Sequence, residues 1–317
     1  MSKMKAKKSL RKSRSSFAII MLFIVVAIFV FGVAFGIHKK LTSNDNPIVK
    51  PEQASPSQQD EVNDASSDMP QSILPIDFQP IIDKWAGGLK GPATVLIYDL
   101  DLDRKTAEYN IAENYNTASL YKLFVVYEGY KRVENKTWDG NTKAGSTGKT
   151  ILECLDLAIR ESNSPCAETL WKMIGHDNLD AIIKNEWGIM HSDISKLTSN
   201  ATDIAAILKR FYEHPDFNNE ALLAKMWDSF LNQPVTTYNW RQGLPSGFKK
   251  ASVYNKVGWD YNPDKKYWNI YHDAAIVKFP TADGDTRNFI IVVMTNRVDY
   301  LDIKKLATLL ENKFYGE

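Results

Sequence analysis

The stretch YNTASLYKLFVV, residues 115–126, runs from polar residues directly into an apolar helical pattern. This pattern predicts that Ser119 lies in the first helical turn and that Lys122, three residues later, projects from the same face. A serine hydroxyl becomes a nucleophile when a base takes its proton, and burial lowers the pKa of a lysine toward that task. The helix N-terminus adds backbone N–H groups where an oxyanion would form. The alternative is a helix-capping serine followed by a solvated lysine.

Strand patterns flank a long helical region on both sides of this stretch. Helices are predicted at residues 78–90, through most of residues 120–232 and at residues 302–314, and strands at residues 93–100, 106–109, 252–258, 273–279 and 288–295. Because early and late strands imply one shared sheet, the terminal helices are expected to cover it and the middle helices to form an inserted lobe. The predicted fold class is therefore α+β, with a cleft where the lobes meet.

Two further polar motifs follow, and each also has a purely structural interpretation. The triplet SNS, residues 162–164, lies between two apolar helical runs, so a tight inter-helix loop with helix capping explains it as well as chemistry does. The triplet KVG, residues 256–258, ends a strand pattern. A lysine and a glycine there suggest an edge facing a cleft, where a ligand approaches the backbone closely. A plain strand end is the alternative.

The order of the three motifs resembles that of the class A β-lactamase and penicillin-binding protein superfamily, whose signature is Ser-x-x-Lys, Ser-x-Asn and Lys-Thr-Gly. The segment WRQGLPSGFK, residues 240–249, resembles the Arg-x-Gly-Leu-Pro segment ahead of the third motif in class A enzymes. LAIRESNSPCAETLWKMIG, AAIVKFP and FIIVVMT resemble the helices around the second motif and the last two strands. The resemblance covers nearly all of residues 76–317. It implies a β-lactamase/DD-peptidase-like fold, with an antiparallel sheet covered by the terminal helices and an inserted all-helical lobe.

The resemblance also implies a role for each matched position. Three residues would act on the reacting atoms: Ser119 as the acylated nucleophile, Lys122 as its activating base and Ser162 as the proton relay to the leaving nitrogen. Four would bind substrate: Ser164 at its amide, Lys256 at its carboxylate, Gly258 on the docking strand, and Trp259, whose N–H would form the oxyanion hole with that of Ser119. The implied substrates are β-lactams or D-alanyl wall peptides. No cofactor is expected, and the five scattered histidines have neither metal-ligand spacing nor a Ser-His-Asp arrangement.

Departures from the family pattern affect the expected chemistry. Ser164 stands where the family usually has Asn, and Val257 stands where it has Thr or Ser. The loop WGIMHSDISKLT, residues 187–198, lacks the deacylating glutamate; Glu186 comes too early and Asp193 is a weak candidate. General-base catalysis is typically worth roughly 10²–10⁴-fold, about 3 to 5 kcal/mol, so slow hydrolysis of the acyl-enzyme is predicted. The alternative function is a catalytically silent module that binds cell-wall peptide or a protein partner.

The N-terminal region differs sharply from the remainder. Seven of the first 16 residues are Lys or Arg and none is acidic, and residues 17–37 (FAIIMLFIVVAIFVFGVAFGI) carry no charge. At 1.5 Å per residue this run spans roughly 30 Å, enough to cross a bilayer. The positive-inside rule predicts a cytoplasmic tail at residues 1–16, a single transmembrane signal anchor at residues 17–37 and an extracytoplasmic remainder. A cleaved atypical signal sequence and a buried core helix are the alternatives.

Residues 38–73 are rich in Pro, Ser, Gln, Asn and acidic residues, so they are predicted to form a disordered tether before a globular domain at residues 74–317. Beyond the basic tail no basic surface is evident, so nucleic acid is not an expected partner. The helical pattern puts Cys154 and Cys166 on one continuous segment, about 18 Å apart, and therefore predicts no disulfide.

Overall fold

The strands predicted in the early and late parts of the chain pair in one antiparallel sheet. The structure is a computed structural model that describes residues 74–233, 241–261 and 269–317. Its strands are β1 (Ala93–Asp99), β2 (Arg104–Tyr109), β3 (Tyr115–Asn116), β4 (Thr198–Ser199), β5 (Ser252–Tyr261), β6 (Asn269–Pro280) and β7 (Thr286–Thr295). Five of them form the sheet in the order β2-β1-β7-β6-β5, and β3 pairs separately with β4. Strand β5 therefore lies at an edge of the sheet.

Helices cover both faces of this sheet. Nine α-helices lie in the described ranges: α1 (Gln79–Gly87), α2 (Tyr121–Glu134), α3 (Ile151–Arg160), α4 (Ser164–Ile174), α5 (His176–Asn185), α6 (Ala201–Glu213), α7 (Glu220–Leu231), α8 (Leu244–Gly247) and α9 (Tyr300–Tyr315). The terminal helices α1 and α9 share one apolar cluster with the sheet, and the helices from the middle of the chain share another. The predicted α+β fold class is thus confirmed.

The side chains of β7 show why its sequence is apolar from Phe289 to Met294. Those at alternate positions pack with the terminal helices (Phe289, Ile291 and Val293) or with the helical lobe (Ile290, Val292 and Met294). A strand that is buried on both faces has no solvent-facing position for a polar residue. The two clusters meet across the sheet, which fixes the position of the helical lobe relative to β5 and β6.

A disulfide between Cys154 and Cys166 corrects the sequence prediction. Helix α3 ends at Arg160, and α4 begins at Ser164 and packs against α3. The two Cα atoms are therefore only 4.8 Å apart. The prediction was wrong because it placed both cysteines on one continuous helix, whereas the polar residues 161–163 interrupt it.

The predicted cytoplasmic tail, transmembrane helix and tether, residues 1–73, lie outside the described residues. Among the helices of residues 74–233, 241–261 and 269–317, none combines the length and the apolar character needed to cross a bilayer. The three N-terminal assignments therefore stay predictions.

Candidate active site

Ser119 and Lys122 lie together at the start of α2. Ser119 is the middle residue of a 3₁₀ turn, Ala118–Leu120, that leads directly into the helix, one turn earlier than the α-helical position predicted. The Nζ atom of Lys122 lies 3.0 Å from the Oγ atom of Ser119. Ser119 is partly exposed, whereas Lys122 is fully buried. This geometry contradicts the alternative of a solvated lysine.

Burial changes the acid–base chemistry of Lys122. Desolvation lowers the pKa of its ammonium group from 10.5 to about 8, and the negative charge of Glu168 partly opposes this shift. At neutral pH roughly a tenth of such a group is the neutral amine. Since the neutral amine carries a lone pair, Lys122 has the chemistry of a base directed at the Ser119 hydroxyl.

Ser162 lies between the two buried lysines of the site. It occupies the loop between α3 and α4 with a φ of 53°, a left-handed conformation that is uncommon for residues other than glycine. Its Oγ atom is 3.2 Å from Nζ of Lys122 and 2.9 Å from Nζ of Lys256. The side chain of Asn163 accepts a hydrogen bond from the backbone N–H of Cys166 and so caps α4, as the loop pattern predicted. The strained loop thus brings the second predicted motif to the first.

Ser164 completes a ring of oxygen atoms around Lys122. The Nζ atom of Lys122 donates to the Ser164 hydroxyl at 3.0 Å and to the Ser162 carbonyl at 2.6 Å. Ser164 itself is exposed at the first turn of α4. The site therefore presents serine hydroxyls toward solvent with the lysine nitrogen beneath them.

The third predicted motif lies on the edge strand β5 and faces the same cluster. The strand extends to Tyr261, three residues beyond the predicted end. Lys256 is 1% exposed, and its Nζ atom also donates to the Val257 carbonyl at 2.7 Å. Burial lowers the pKa of Lys256 well below its usual value, the charge of Lys122 lowers it further, and Asp273 opposes both. Among the residues that the structure describes, no carboxylate forms a hydrogen bond or ion pair with either lysine, so the pair favours an incoming anion.

Close contact between β5 and the Ser119 turn requires a glycine. A Cβ atom at Gly258 would lie 2.8 Å from the carbonyl oxygen of Thr117 and 3.1 Å from Leu120. The next residue, Trp259, has a side chain that is 37% exposed. The seven predicted site residues therefore lie in three regions: the Ser119 turn with the start of α2, the α3–α4 loop with the first residue of α4, and β5.

His272 holds the Ser119 turn against β6, a function that the sequence analysis missed. Its Nδ1 atom accepts the backbone N–H of Thr295 at 2.9 Å, so its Nε2 atom carries the proton and donates to the Asn116 carbonyl at 2.8 Å. The Asn116 side chain in turn accepts the N–H of Ala118, whose φ is 42°. No sequence signal marks this histidine, because its partners are backbone groups from distant segments.

Replacing His272 with glutamine is expected to change how stability depends on pH. Full burial lowers the folded-state pKa of His272 from 6.5 to about 4, so the unfolded chain takes up the proton first as the pH falls. The stability that neutral His272 provides is complete above pH 6.5 and decreases toward pH 4. The difference in unfolding free energy between wild type and the variant should therefore shrink by about 3 kcal/mol over that range.

Urea denaturation of both proteins at a series of pH values measures this difference. The subtraction cancels groups common to both proteins, including Asp273, whose pKa burial raises to about 7 and whose contribution has the opposite sign. A difference that stays constant with pH would mean that His272 titrates alike in the folded and unfolded chains.

Asp273 anchors β5 to the segment that precedes it. One oxygen of its buried carboxyl group accepts from the side-chain amide of Asn255 at 2.8 Å, and the other accepts from the backbone N–H of Leu244 at 2.7 Å. A Cβ atom at Gly243 would lie 2.4 Å from that second oxygen, so this position needs a glycine. The Gly-Leu-Pro segment singled out in the sequence therefore packs against the buried carboxyl group of Asp273.

A sheet between two helical layers, with three serines and two buried lysines where the helical lobe meets the edge strand, is the arrangement of a β-lactamase-fold protein. The model of the beta-lactamase enzyme family matches residues 78–314. This chain therefore belongs to the beta-lactamase enzyme family. A search of curated protein sequences finds no match.

Solved structures of class A β-lactamases have the same fold. A class A representative from Bacteroides cellulosilyticus DSM 14838 is 15% identical, with 74% of this chain and 96% of that one covered and a TM-score of 0.61. A halotolerant bacterial β-lactamase is 16% identical over 74% of this chain and 98% of its own, with a TM-score of 0.60. A β-lactamase from Desulfarculus baarsii DSM 2075 is 13% identical over 75% and 97%, with a TM-score of 0.62. At these identities the likeness concerns the fold.

Proposed function

We propose that this chain is a serine hydrolase that forms an acyl-enzyme at Ser119 with β-lactams or D-alanyl wall peptides. The observation that carries the proposal is the 3.0 Å contact between the Ser119 hydroxyl and the buried amine of Lys122. A desolvated amine with a pKa of about 8 takes the hydroxyl proton as Oγ attacks the substrate carbonyl. The developing oxyanion is stabilised by the backbone N–H groups of Ser119 and Trp259.

Ser162 relays the proton to the leaving nitrogen. Its Oγ atom lies within 3.2 Å of Lys122 Nζ and 2.9 Å of Lys256 Nζ, so a proton taken by Lys122 reaches the leaving group through one hydroxyl. This route returns Lys122 to its neutral form after acylation. Once Lys122 has taken the serine proton, its positive charge favours loss of the Ser162 proton during the transfer.

Substrate is bound between the α3–α4 loop and the edge of β5. Lys256 attracts the substrate carboxylate, whose negative charge favours the ammonium form of this buried lysine. Ser164 hydrogen-bonds the substrate amide with a single hydroxyl where the family usually has an asparagine side chain. Gly258 lets β5 lie against the Ser119 turn, so that an extended substrate paired with the edge strand would lie next to the nucleophile. Val257 supplies no hydroxyl next to the carboxylate, so binding of the carboxylate depends mainly on Lys256.

The catalytic domain works outside the cytoplasmic membrane. Support comes from the charge-free run at residues 17–37 behind a basic tail, which has the length and flanking charge of a signal anchor. The Cys154–Cys166 disulfide also supports an oxidising compartment, since cytosolic thiols are kept reduced. Cell-wall peptides and β-lactam antibiotics are both met in that compartment.

Intact mass spectrometry with benzylpenicillin tests the proposal. The full chain, purified in detergent, is expected to gain the mass of the whole antibiotic, and Ser119→Ala is expected to gain nothing. Ser246→Ala is the matched control because Ser246 also belongs to a Ser-x-x-Lys motif, yet its Oγ atom donates to the Gly243 carbonyl and Lys249 contacts only its backbone oxygen. Failure of the wild type to form an adduct would refute acylation by β-lactams and favour the silent binding module.

A further inference from the structure

The loop at residues 187–198 offers no carboxylate to activate a deacylating water. Asp193 uses both side-chain oxygens within its own turn, accepting from the Ser195 hydroxyl at 2.7 Å and from the Lys196 ammonium at 2.6 Å. Glu186, just before the loop, forms an ion pair with Lys131 at 2.7 Å. Hydrolysis faster than the slow rate predicted from the sequence therefore needs a carboxylate from another element.

Helix α4 carries a carboxylate on the face that meets Lys122. Glu168 lies one helical turn after Ser164, and residues four apart on a helix are neighbours on one face. The Ser164 hydroxyl is 3.0 Å from Nζ of Lys122. The face of α4 that carries Ser164 and Glu168 is therefore next to Lys122, the proposed base for Ser119. The charge of Glu168 is also close enough to oppose the pKa shift of Lys122. Glu168 is the one acidic residue of α4, Ser164–Ile174.

Tyr121 fixes one oxygen of Glu168 and leaves the other available. The buried Tyr121 hydroxyl donates to Oε1 of Glu168 at 2.7 Å, and the centroid of the same ring lies 5.7 Å from Nζ of Lys122. Within residues 74–233, 241–261 and 269–317, no hydrogen bond or ion pair engages Oε2 of Glu168, and the side chain is only partly buried. A carboxylate held at one oxygen and open at the other is suited to accept a proton from water.

We propose that Glu168 is the general base that activates water for hydrolysis of the Ser119 acyl-enzyme. The inference rests on the proposed function, because it requires that acyl-enzyme to form. It moves the deacylating carboxylate from the loop at residues 187–198 to helix α4, with Tyr121 as the residue that orients it.

The step balances with water as the only co-reactant. Oε2 of Glu168 takes one proton from water while the water oxygen bonds to the ester carbonyl carbon, and the carbonyl oxygen becomes an oxyanion. When that intermediate collapses, the bond between the carbonyl carbon and Ser119 Oγ breaks, and Oγ leaves with the electron pair. The proton held by Glu168 passes to Oγ, which restores both the serine hydroxyl and the carboxylate. The product is released as a carboxylic acid.

The rate of adduct decay tests the inference separately from adduct formation. The full-length wild type, Glu168→Gln and Glu186→Gln are acylated with benzylpenicillin, excess antibiotic is removed, and intact mass is followed with time. Glu168→Gln is expected still to acylate, with its rate changed only through the effect of the lost charge on the pKa of Lys122, and to lose its adduct roughly 10²–10⁴-fold more slowly. Glu186→Gln, which loses only a surface ion pair, should behave as wild type. Sodium formate, a small carboxylate, should accelerate decay in Glu168→Ala and not in wild type.

The outcomes are distinguishable. Equal decay rates in wild type and Glu168→Gln would overturn the inference and leave the proposed function standing. Slower acylation together with unchanged decay would also overturn it, since Glu168 would then act only by positioning Lys122. Absence of any adduct on the wild type would overturn the proposed function, and this inference with it.

Discussion

Replacing Lys122 with methionine is expected to slow acylation of Ser119 by roughly 10²–10⁴-fold, a loss of about 3 to 5 kcal/mol in transition-state stabilisation. Methionine fills most of the buried volume of the lysine side chain but carries no group that accepts a proton. The wild-type rate should also rise about tenfold per pH unit below pH 8 and level off above it, because the pKa of Lys122 is about 8 and only the neutral amine acts as a base. The variant should lack this pH dependence.

Stopped-flow measurement of acylation by a chromogenic cephalosporin, repeated across pH, gives both quantities. Lys131→Met is the matched control because Lys131 lies on the same helix but forms a surface ion pair with Glu186. It is expected to acylate at the wild-type rate at every pH. A Lys122→Met protein that acylates within a few-fold of wild type, or that keeps the pH dependence, would show that another group takes the serine proton.

The fold could be predicted from the sequence because its signals are local. The period-two and continuous apolar patterns of β1, β6 and β7 and the helical periodicity between them survive in the structure with small shifts at their ends. Both faces of β7 are buried, which explains why its run of six large apolar residues contains no polar position. Helix boundaries were less predictable. Only residues 161–163 separate α3 from α4, and such a short break left the two cysteines assigned to one continuous helix.

The sequence predicted the residues of the site, but not the residues that hold them in place. Ser119, Ser162 and Lys256 were identified by motif order, and the distances among their side chains follow from the packing of the helical lobe on β5. His272 could not be predicted, because its Nε2 proton and Nδ1 lone pair bind backbone groups that are 156 and 23 residues away in the chain. The proposed role of Glu168 carried no sequence signal, because the family pattern places the deacylating glutamate in the loop at residues 187–198.

Removing the Cys154–Cys166 disulfide is expected to destabilise the folded protein by about 3 kcal/mol, because the bond closes a loop with a sequence separation of 12 and restricts the unfolded chain. It joins α3 to α4 on either side of the loop that carries Ser162. That loop holds Ser162 at a φ of 53°, and the disulfide helps to keep this unfavourable conformation in place. The double variant Cys154→Ala/Cys166→Ala should therefore also acylate more slowly, since the Ser162 hydroxyl is positioned less well between the two lysines.

Urea denaturation with and without a reducing agent measures the stability effect, and reductant provides its own control. Reduction should lower the denaturation midpoint of the wild type to near that of the double variant and leave the double variant unchanged. The denaturation midpoint reports the effect of the disulfide on stability, and the acylation rate reports its effect on the position of Ser162. A lower midpoint with unchanged acylation would mean that Asn163 capping and the lysine contacts alone hold Ser162 in place. If the midpoint does not respond to reductant or to the substitutions, the disulfide does not stabilise the fold.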